Sequence, residues 1–323
     1  MRVHAMPPLN LPSPQVFVIA SYMRDLGVRV DQFPRPGETR VGGDFLESHG
    51  GKGSNQAIQA ARCGARVAIV AAVGQDAPGE RACELWRAEG LDARGVVTRA
   101  GQITGTALIL VDDRGENQIV IAPGANSYLL PADVDAAGAA LDAARVVVCQ
   151  LETPLACTLH AFGRARAAGA TTLLNSAPAP AELPAHLWAL TDILIANEIE
   201  AASLSGCPPD TEPTVMAQVL LGRVGRGVAI TLGSQGAMWC ERGAAPICQR
   251  APGVDVVDTT GAGDAFVGAF AAAWAQQPDP RQALISGVTA GSLACTRRGV
   301  VPALADAQAI ARLRAAGSGR AAP

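Results

Sequence analysis

Asp258-Thr259-Thr260-Gly261-Ala262-Gly263-Asp264-Ala265-Phe266 is the stretch whose pattern organises the rest of the chain. It follows the alternating apolar residues Val254, Val256 and Val257 and opens a run of small apolar residues through Ala275. That order predicts a strand, a tight glycine turn and a buried helix. Glycines leave the turn without Cβ atoms, so backbone N–H groups can approach an anion closely. The helix start adds unsatisfied N–H groups and the positive end of the helix dipole. Asp264 falls in the first helical turn, with its carboxylate beside the anion position. An anion hole next to a candidate base is the arrangement that phosphoryl transfer needs. Taken alone, the run is equally a glycine-rich helix start with an acidic first-turn residue.

Upstream, continuous β-branched runs recur at Val16–Ala20, Val67–Val73, Ala107–Val111, Gln118–Ile121, Val146–Gln150, Thr171–Asn175, Ile193–Ala196 and Val228–Leu232. Alanine-rich amphipathic stretches lie between many of them, at Gly53–Cys63, Gly79–Glu89, Leu155–Ala168, Glu198–Ser205 and Val215–Gly225. Unbroken apolar strands alternating with helices predict an α/β fold, a doubly wound and mostly parallel sheet with helices on both faces. Two regions break the rhythm. Residues 23–48 and 103–122 are strand-like without helices between them, and Asp112-Asp113-Arg114-Gly115 is a hairpin turn between apolar strands. These two regions predict a small β subdomain inserted into an α/β body made of 16–22, 49–102 and 123–316. The proline-rich start, residues 1–15, is expected to be a disordered extension and 317–323 a flexible tail. No internal repeat is evident.

Composition narrows the function classes. The 323 residues are 49% hydrophobic and 17% charged, a globular balance. A net charge of −3 gives no electrostatic case for nucleic acid or an anionic membrane. No apolar run approaches the roughly 18 residues that span a bilayer, and the start lacks the apolar core of a signal peptide, so a cytoplasmic address is expected. The eight cysteines form no CxxC pair and no cluster with histidine, which predicts buried reduced thiols. His160 and His186 fall in helix-like stretches; His49, beside Gly50-Gly51, is the one histidine near a candidate site.

Further polar clusters stand at predicted strand ends, where ligands bind in open α/β sheets. Gly50-Gly51-Lys52-Gly53-Ser54-Asn55-Gln56-Ala57 fails the G-x4-GK-[ST] phosphate-loop template, because Gly53 follows Lys52. Its glycines before a helix start instead offer Lys52 and Asn55 as donors to a polyhydroxylated substrate. In Asn197-Glu198-Ile199-Glu200, an amide and a carboxylate at i and i+3 share a helix face and could serve phosphates and Mg²⁺, or simply cap the helix. Thr231-Leu232-Gly233-Ser234-Gln235-Gly236 suits a nucleotide phosphate or a plain turn, and Gln150-Leu151-Glu152 ends a strand. No G-x-G-x-x-G follows the first strand, where Ala20-Ser21-Tyr22 stands, which excludes the usual dinucleotide fingerprint.

In combination these runs resemble the ribokinase (PfkB-type) family of carbohydrate kinases, over nearly the whole chain from Val16 to about Ala315. GGKGSNQA and DTTGAGDAF look like its two signatures, in the right order. Phe33–Thr39, Pro123–Asn126, Gln150–Pro154, Asn175–Ala179 and Thr296–Gly299 match further, and resemble the ribokinase/deoxyribokinase branch more than adenosine kinase or phosphofructokinase. The resemblance implies an ATP-dependent phosphotransferase with a β lid over the sugar, the lid often forming a homodimer contact. It implies Asp264 as the base acting on a sugar 5-hydroxyl, with Gly261, Ala262 and Gly263 as the anion hole. Asp25, Met23, Gly51, Lys52, Asn55 and Glu152 would line the sugar. Asn197 would serve the phosphates and Glu200 the Mg²⁺, with Thr231, Gly233 and Gly236 on the nucleotide. Asp258 and Thr260, with backbone carbonyls near Ala294, Arg297 and Gly299, resemble the family's K⁺ site. Another sugar, sugar-acid or nucleoside kinase of the family, or a non-catalytic sugar-binding protein on the same fold, is the competing reading.

Two positions depart from the pattern. Where ribokinases usually carry an Asn for the ribose 2-hydroxyl, this chain has Met23, a residue that also resembles the deoxyribokinase branch. A thioether is a very weak acceptor and no donor. This predicts acceptance of 2-deoxyribose at least as well as ribose. Ala303 replaces a Ser that often contributes to the K⁺ site, which predicts weaker K⁺ activation.

Overall fold

The computed structural model describes residues 15–180 and 182–318. The expected N-terminal extension, 1–15, lies outside these residues apart from Gln15, as does most of the expected tail. The first strands are β1 (Val16–Ala20), β2 (Met23–Arg29) and β3 (Gly43–Gly50), followed by helix α1 (Lys52–Arg62), β4 (Val67–Gly74) and α2 (Ala77–Ala88). Next come β5 (Asp92–Arg99), β6 (Thr106–Val111), β7 (Asn117–Ala122), α3 (Pro131–Ala136) and α4 (Gly138–Asp142). The middle of the chain holds β8 (Val146–Cys149), α5 (Leu155–Ala167), β9 (Thr171–Asn175), α6 (Ala185–Leu190), β10 (Ile193–Asn197) and α7 (Glu198–Ser205). The last part holds α8 (Pro213–Leu221), β11 (Gly227–Thr231), β12 (Ala237–Glu241), β13 (Ile247–Gln249), α9 (Ala262–Gln276), α10 (Pro280–Ala294) and α11 (Ala307–Ser318).

A nine-stranded sheet runs β13-β12-β11-β10-β9-β8-β1-β4-β5. It is parallel from β5 to β11 and antiparallel at β11–β12 and β12–β13. Strands β1, β4 and β8 are buried along their whole length, as continuous apolar runs demand of a sheet covered on both faces. Separate apolar cores occupy the two faces, one around α1, α9 and α10 and the other around α5 and α8. The chain's few aromatic residues concentrate in the first. Phe266, Phe270 and Trp274 stack at successive turns of α9, with centroids 6.0 and 5.7 Å apart, and Trp239 of β12 closes the set 5.5 Å from Trp274.

The second sheet, formed by the regions expected to make a lid, has four strands in the order β3-β2-β6-β7. The hairpin expected at Asp112–Gly115 joins β6 to β7, and the buried Asp112 carboxylate accepts from the N–H groups of Arg114 and Glu116. The expected strand at Val254–Val257 is not formed. Val256 and Val257 are exposed, and the segment is tied down only where the N–H groups of Val257 and Asp258 donate to Cys295 O. Of the cysteines, all free, Cys149, Cys157 and Cys240 are buried as expected, whereas Cys248 is exposed. No helix among the described residues is long and apolar enough to cross a membrane.

Candidate active site

Chain order places the site where α9 begins, because α9 packs against α1 and carries Asp264 to the C-terminal edge of the central strands. Gly268 makes this approach possible: a Cβ there would lie 2.5 Å from Gln56 O. At the start of α9, Gly261 is the N-cap in a left-handed conformation (φ 79°), which only glycine adopts without strain. Ala262 N–H already donates to Thr259 O at 3.2 Å, while the N–H groups of Gly261 and Gly263 make no hydrogen bond within the described residues. In the expected anion hole, the N–H groups of the two glycines are thus the ones left open among the described residues.

Asp264 is buried at the third position of α9. One carboxylate oxygen, Oδ2, accepts from Asn55 Nδ2 at 2.9 Å, and the other, Oδ1, from Gln56 Nε2 at 3.0 Å. Asn55 Oδ1 is buried too, and accepts no hydrogen bond among the described residues. Lys52 and Asn55 come from the first turn of α1, whose N-cap is Gly51. Glu152, at the end of β8, is half-buried rather than an exposed strand end. Its Oε2 accepts from Ser21 Oγ at 2.7 Å and from Lys52 N at 2.9 Å. Burial pushes the Glu152 carboxyl up against the pull of the Lys52 charge. Burial pulls the Lys52 ammonium down, but Asp264, Glu152 and Glu200 outweigh it and hold it above the ordinary lysine value. One cation thus faces carboxylates contributed by three separate segments.

The lid supplies Asp25. Burial, helped by the Glu152 and Asp264 charges, pushes its carboxyl up to about 7. In the register of β2 on β3, Met23 pairs with Gly50 and Asp25 with Ser48, so both side chains share one face; Arg24 and His49 pair on the opposite face. His49 consequently points away from Asp25, and its Nδ1 lies 2.6 Å from the Tyr22 hydroxyl. Met23 is buried at the root of the lid, with Sδ 3.8 Å from Asn126 Nδ2. That amide also donates to Tyr22 O and Pro123 O, so Asn126 clamps the crossing from body to lid.

Asn197 and Glu200 form a reciprocal capping box on α7: Asn197 Oδ1 accepts from Glu200 N and Glu200 Oε2 accepts from Asn197 N. The capping alternative is thus realised, and it leaves Glu200 Oε1 uncommitted. Glu200 nevertheless belongs to the same cleft, since its charge acts on Lys52 and its own carboxyl, raised chiefly by burial, feels Lys52 and Asp264. Thr231 ends β11, Gly233 opens a short 3-10 turn and Gly236 closes it. Asp258 bridges two loops, accepting from Thr260 N through Oδ1 and from Gly299 N through Oδ2. Those donors outweigh the effect of burial and hold its carboxyl below the ordinary value. Ala294 ends α10, with Arg297 and Gly299 in the loop that follows. Among the described residues no three His, Cys, Asp or Glu side chains cluster as metal ligands.

Sequence reasoning missed the buried amides behind Asp264. Gln56 Nε2 donates to Asn175 Oδ1 at 2.9 Å as well as to Asp264, and Gln56 Oε1 accepts from Gln150 Nε2 at 2.6 Å. The available signal was a pair of amides, Asn55-Gln56, on an otherwise alanine-rich helix.

Comparisons with known proteins show the family. The model of the pfkB family of carbohydrate kinases matches residues 13–307. Mouse (Mus musculus) ribokinase is 40% identical over 269 residues, covering 82% of this chain and 83% of the relative. A deoxyribokinase of Salmonella typhi is 34% identical over 286 residues, 88% of this chain and 93% of its own. An Arabidopsis thaliana ribokinase structure, complexed with ribose and ATP, superposes with a TM-score of 0.87 at 29% identity, covering 94% of this chain and 99% of that one. A buried aspartate at an open helix start, a lysine among carboxylates and a second, four-stranded sheet are thus set in a chain that belongs to the pfkB family of carbohydrate kinases.

Proposed function

We propose that the chain is an ATP:pentose 5-phosphotransferase acting on D-ribose or 2-deoxy-D-ribose. The observation that carries this reading is Asp264, buried beside the open N–H groups of Gly261 and Gly263 and within electrostatic reach of Lys52. Asp264 takes the proton of the sugar 5-hydroxyl, and the 5-oxygen bonds to the γ-phosphorus. The bond from that phosphorus to the β–γ bridging oxygen breaks, and ADP leaves. The glycine N–H groups face the charge on the transferring group.

The sugar lies between Asp25 and Met23 on the lid side and Gly51, Lys52, Asn55 and Glu152 on the body side. The unpartnered Asn55 Oδ1 supports this, because a sugar hydroxyl is the donor it lacks. Asn197, Thr231, Gly233 and Gly236 line the nucleotide.

The donor chemistry fits hard cations: Glu200 Oε1 is free to meet Mg²⁺ through water, and Asp258 joins the loops whose carbonyls, near Ala294, Arg297 and Gly299, would hold K⁺ with Thr260. Bound Mg²⁺ neutralises phosphate charge. A cytoplasmic address and a homodimer joined through the lid belong to the proposal; the exposed Leu46, Ile119 and Ile121 support the second.

The test is Asp264→Asn. Turnover should fall by about 10²- to 10⁴-fold, the usual worth of a general base, with pentose affinity retained by calorimetry. Unchanged turnover would remove Asp264 from the chemistry.

A further inference from the structure

We infer that Gln56 is a positioning residue for the Asp264 carboxylate, the inner link of a buried amide relay running Gln150–Gln56–Asp264. The inference rests on the reading of Asp264 as the base.

The relay is fixed by donors and acceptors. Gln150 Nε2 can only donate, and it donates to Gln56 Oε1 at 2.6 Å. This orients the Gln56 amide, so that its Nε2 faces away from Gln150 and toward acceptors. Both protons of that nitrogen are used, one on Asp264 Oδ1 at 3.0 Å and one on Asn175 Oδ1 at 2.9 Å. Asn175 is held in turn, since its Nδ2 donates to Ile195 O at 3.2 Å. Gln56 and Gln150 are each 1% exposed, so a flipped amide would find no water to make good its lost bonds. The backbone behind the relay is equally constrained, because Gly268 of α9 packs on Gln56 O.

The consequence falls on one oxygen. Asn55 donates to Oδ2 and Gln56 to Oδ1, from adjacent residues of α1, so the plane of the carboxylate is set by two donors. A proton acceptor for a hydroxyl must be within hydrogen-bond reach and correctly oriented. Asn55 also lines the proposed sugar position, whereas Gln56 reaches the chemistry only through Asp264. Gln56 therefore acts on turnover, not on sugar affinity.

Gln56→Met keeps the shape and deletes the donor. Expected are a kcat lowered by about tenfold to a hundredfold, in line with the cost of small misplacements, and a pentose KM within about threefold of the parent. Gln150→Met leaves the contact to Asp264 in place but frees the amide to turn, and should change the same quantities in the same direction by less. If Gln56→Met does not fold, Gln150→Met decides. Unchanged kcat in the folded variant overturns the inference, as does a pure rise in KM. Asp264→Asn run alongside separates the two levels: full turnover there overturns the base and the relay together, while lost turnover with a normal Gln56→Met overturns the relay alone.

Discussion

Asn55 Nδ2 lies 2.9 Å from Asp264 Oδ2, although 209 positions separate the two residues in the chain. The contact joins the first turn of α1 to the first turn of α9, and so holds the proposed sugar site against the proposed phosphate site. Asn55 serves both, since its Oδ1 remains a buried acceptor without a partner. Asn55→Ala should raise the pentose KM and lower kcat together. Hydrogen bonds to charged groups contribute about 1.5–3 kcal/mol, equivalent to roughly tenfold to a hundredfold in kcat/KM. Steady-state kinetics check this; a change confined to KM would show that Asn55 does not act on Asp264.

Met23 sets the second prediction. A ribose 2-hydroxyl buried against its thioether would lose a partner at a cost of about 1–3 kcal/mol, so kcat/KM for 2-deoxyribose should equal or exceed that for ribose. Met23→Asn should shift the ratio toward ribose by roughly tenfold or more. Competing-substrate kinetics measure the ratio. A parent enzyme favouring ribose more than tenfold would make Met23 only the packing partner of Asn126 at the root of the lid.

Asp25 gives a pH dependence whose sign is opposite to that of an ion-paired carboxylate. Its folded value is raised from 3.8 to about 7, so between these pH values the folded chain holds a proton that the unfolded chain has released. Stability therefore falls as pH rises from about 4 to about 7. Asp25→Asn should flatten that part of the Tm–pH curve and raise Tm at pH 8, while weakening pentose binding. An unchanged Tm–pH curve would show that Asp25 titrates normally. On the same basis, pentose kcat/KM should decline below about pH 7 as the carboxylate that accepts sugar hydroxyls becomes protonated.

Ala303 supplies a prediction about K⁺. It sits buried in the 3-10 turn Val301–Ala303, which Arg62 anchors by donating to Val301 O at 2.8 Å and Leu304 O at 2.7 Å. A serine hydroxyl there would add an oxygen without moving the turn. Turnover should rise with K⁺, and Ala303→Ser should lower the half-saturating concentration. Equal rates in K⁺ and in a large organic cation would remove the monovalent site.

The sequence was most legible where one residue pattern admits one structure. Thr171–Asn175 and Glu198–Ser205 are formed as expected because an unbroken β-branched run and a capped helix start carry local signals. β5 was hidden because an edge strand is only half covered, and Gly95 interrupts its apolar residues. β12, Ala237–Glu241, is buried but has no β-branched residue, and β13 is only three residues long. Val254–Val257 shows the reverse error: alternation predicts a strand, yet no neighbouring edge pairs with it. In the site, the signatures identified the groups proposed to meet ligand. The roles of Gln56, Gln150 and Asn175 could not be read from the Asn55-Gln56 pair alone, because they depend on partners near the ends of β8 and β9 and on α9, which no local pattern encodes.

The most direct test of the account is coupled ADP release with Mg·ATP and K⁺, run side by side on D-ribose, 2-deoxy-D-ribose, D-fructose and adenosine. The account predicts turnover on both pentoses, with 2-deoxyribose at least equal to ribose, and far less on fructose and adenosine. Turnover confined to fructose or adenosine, or none on any of the four with sugar binding intact, would contradict it.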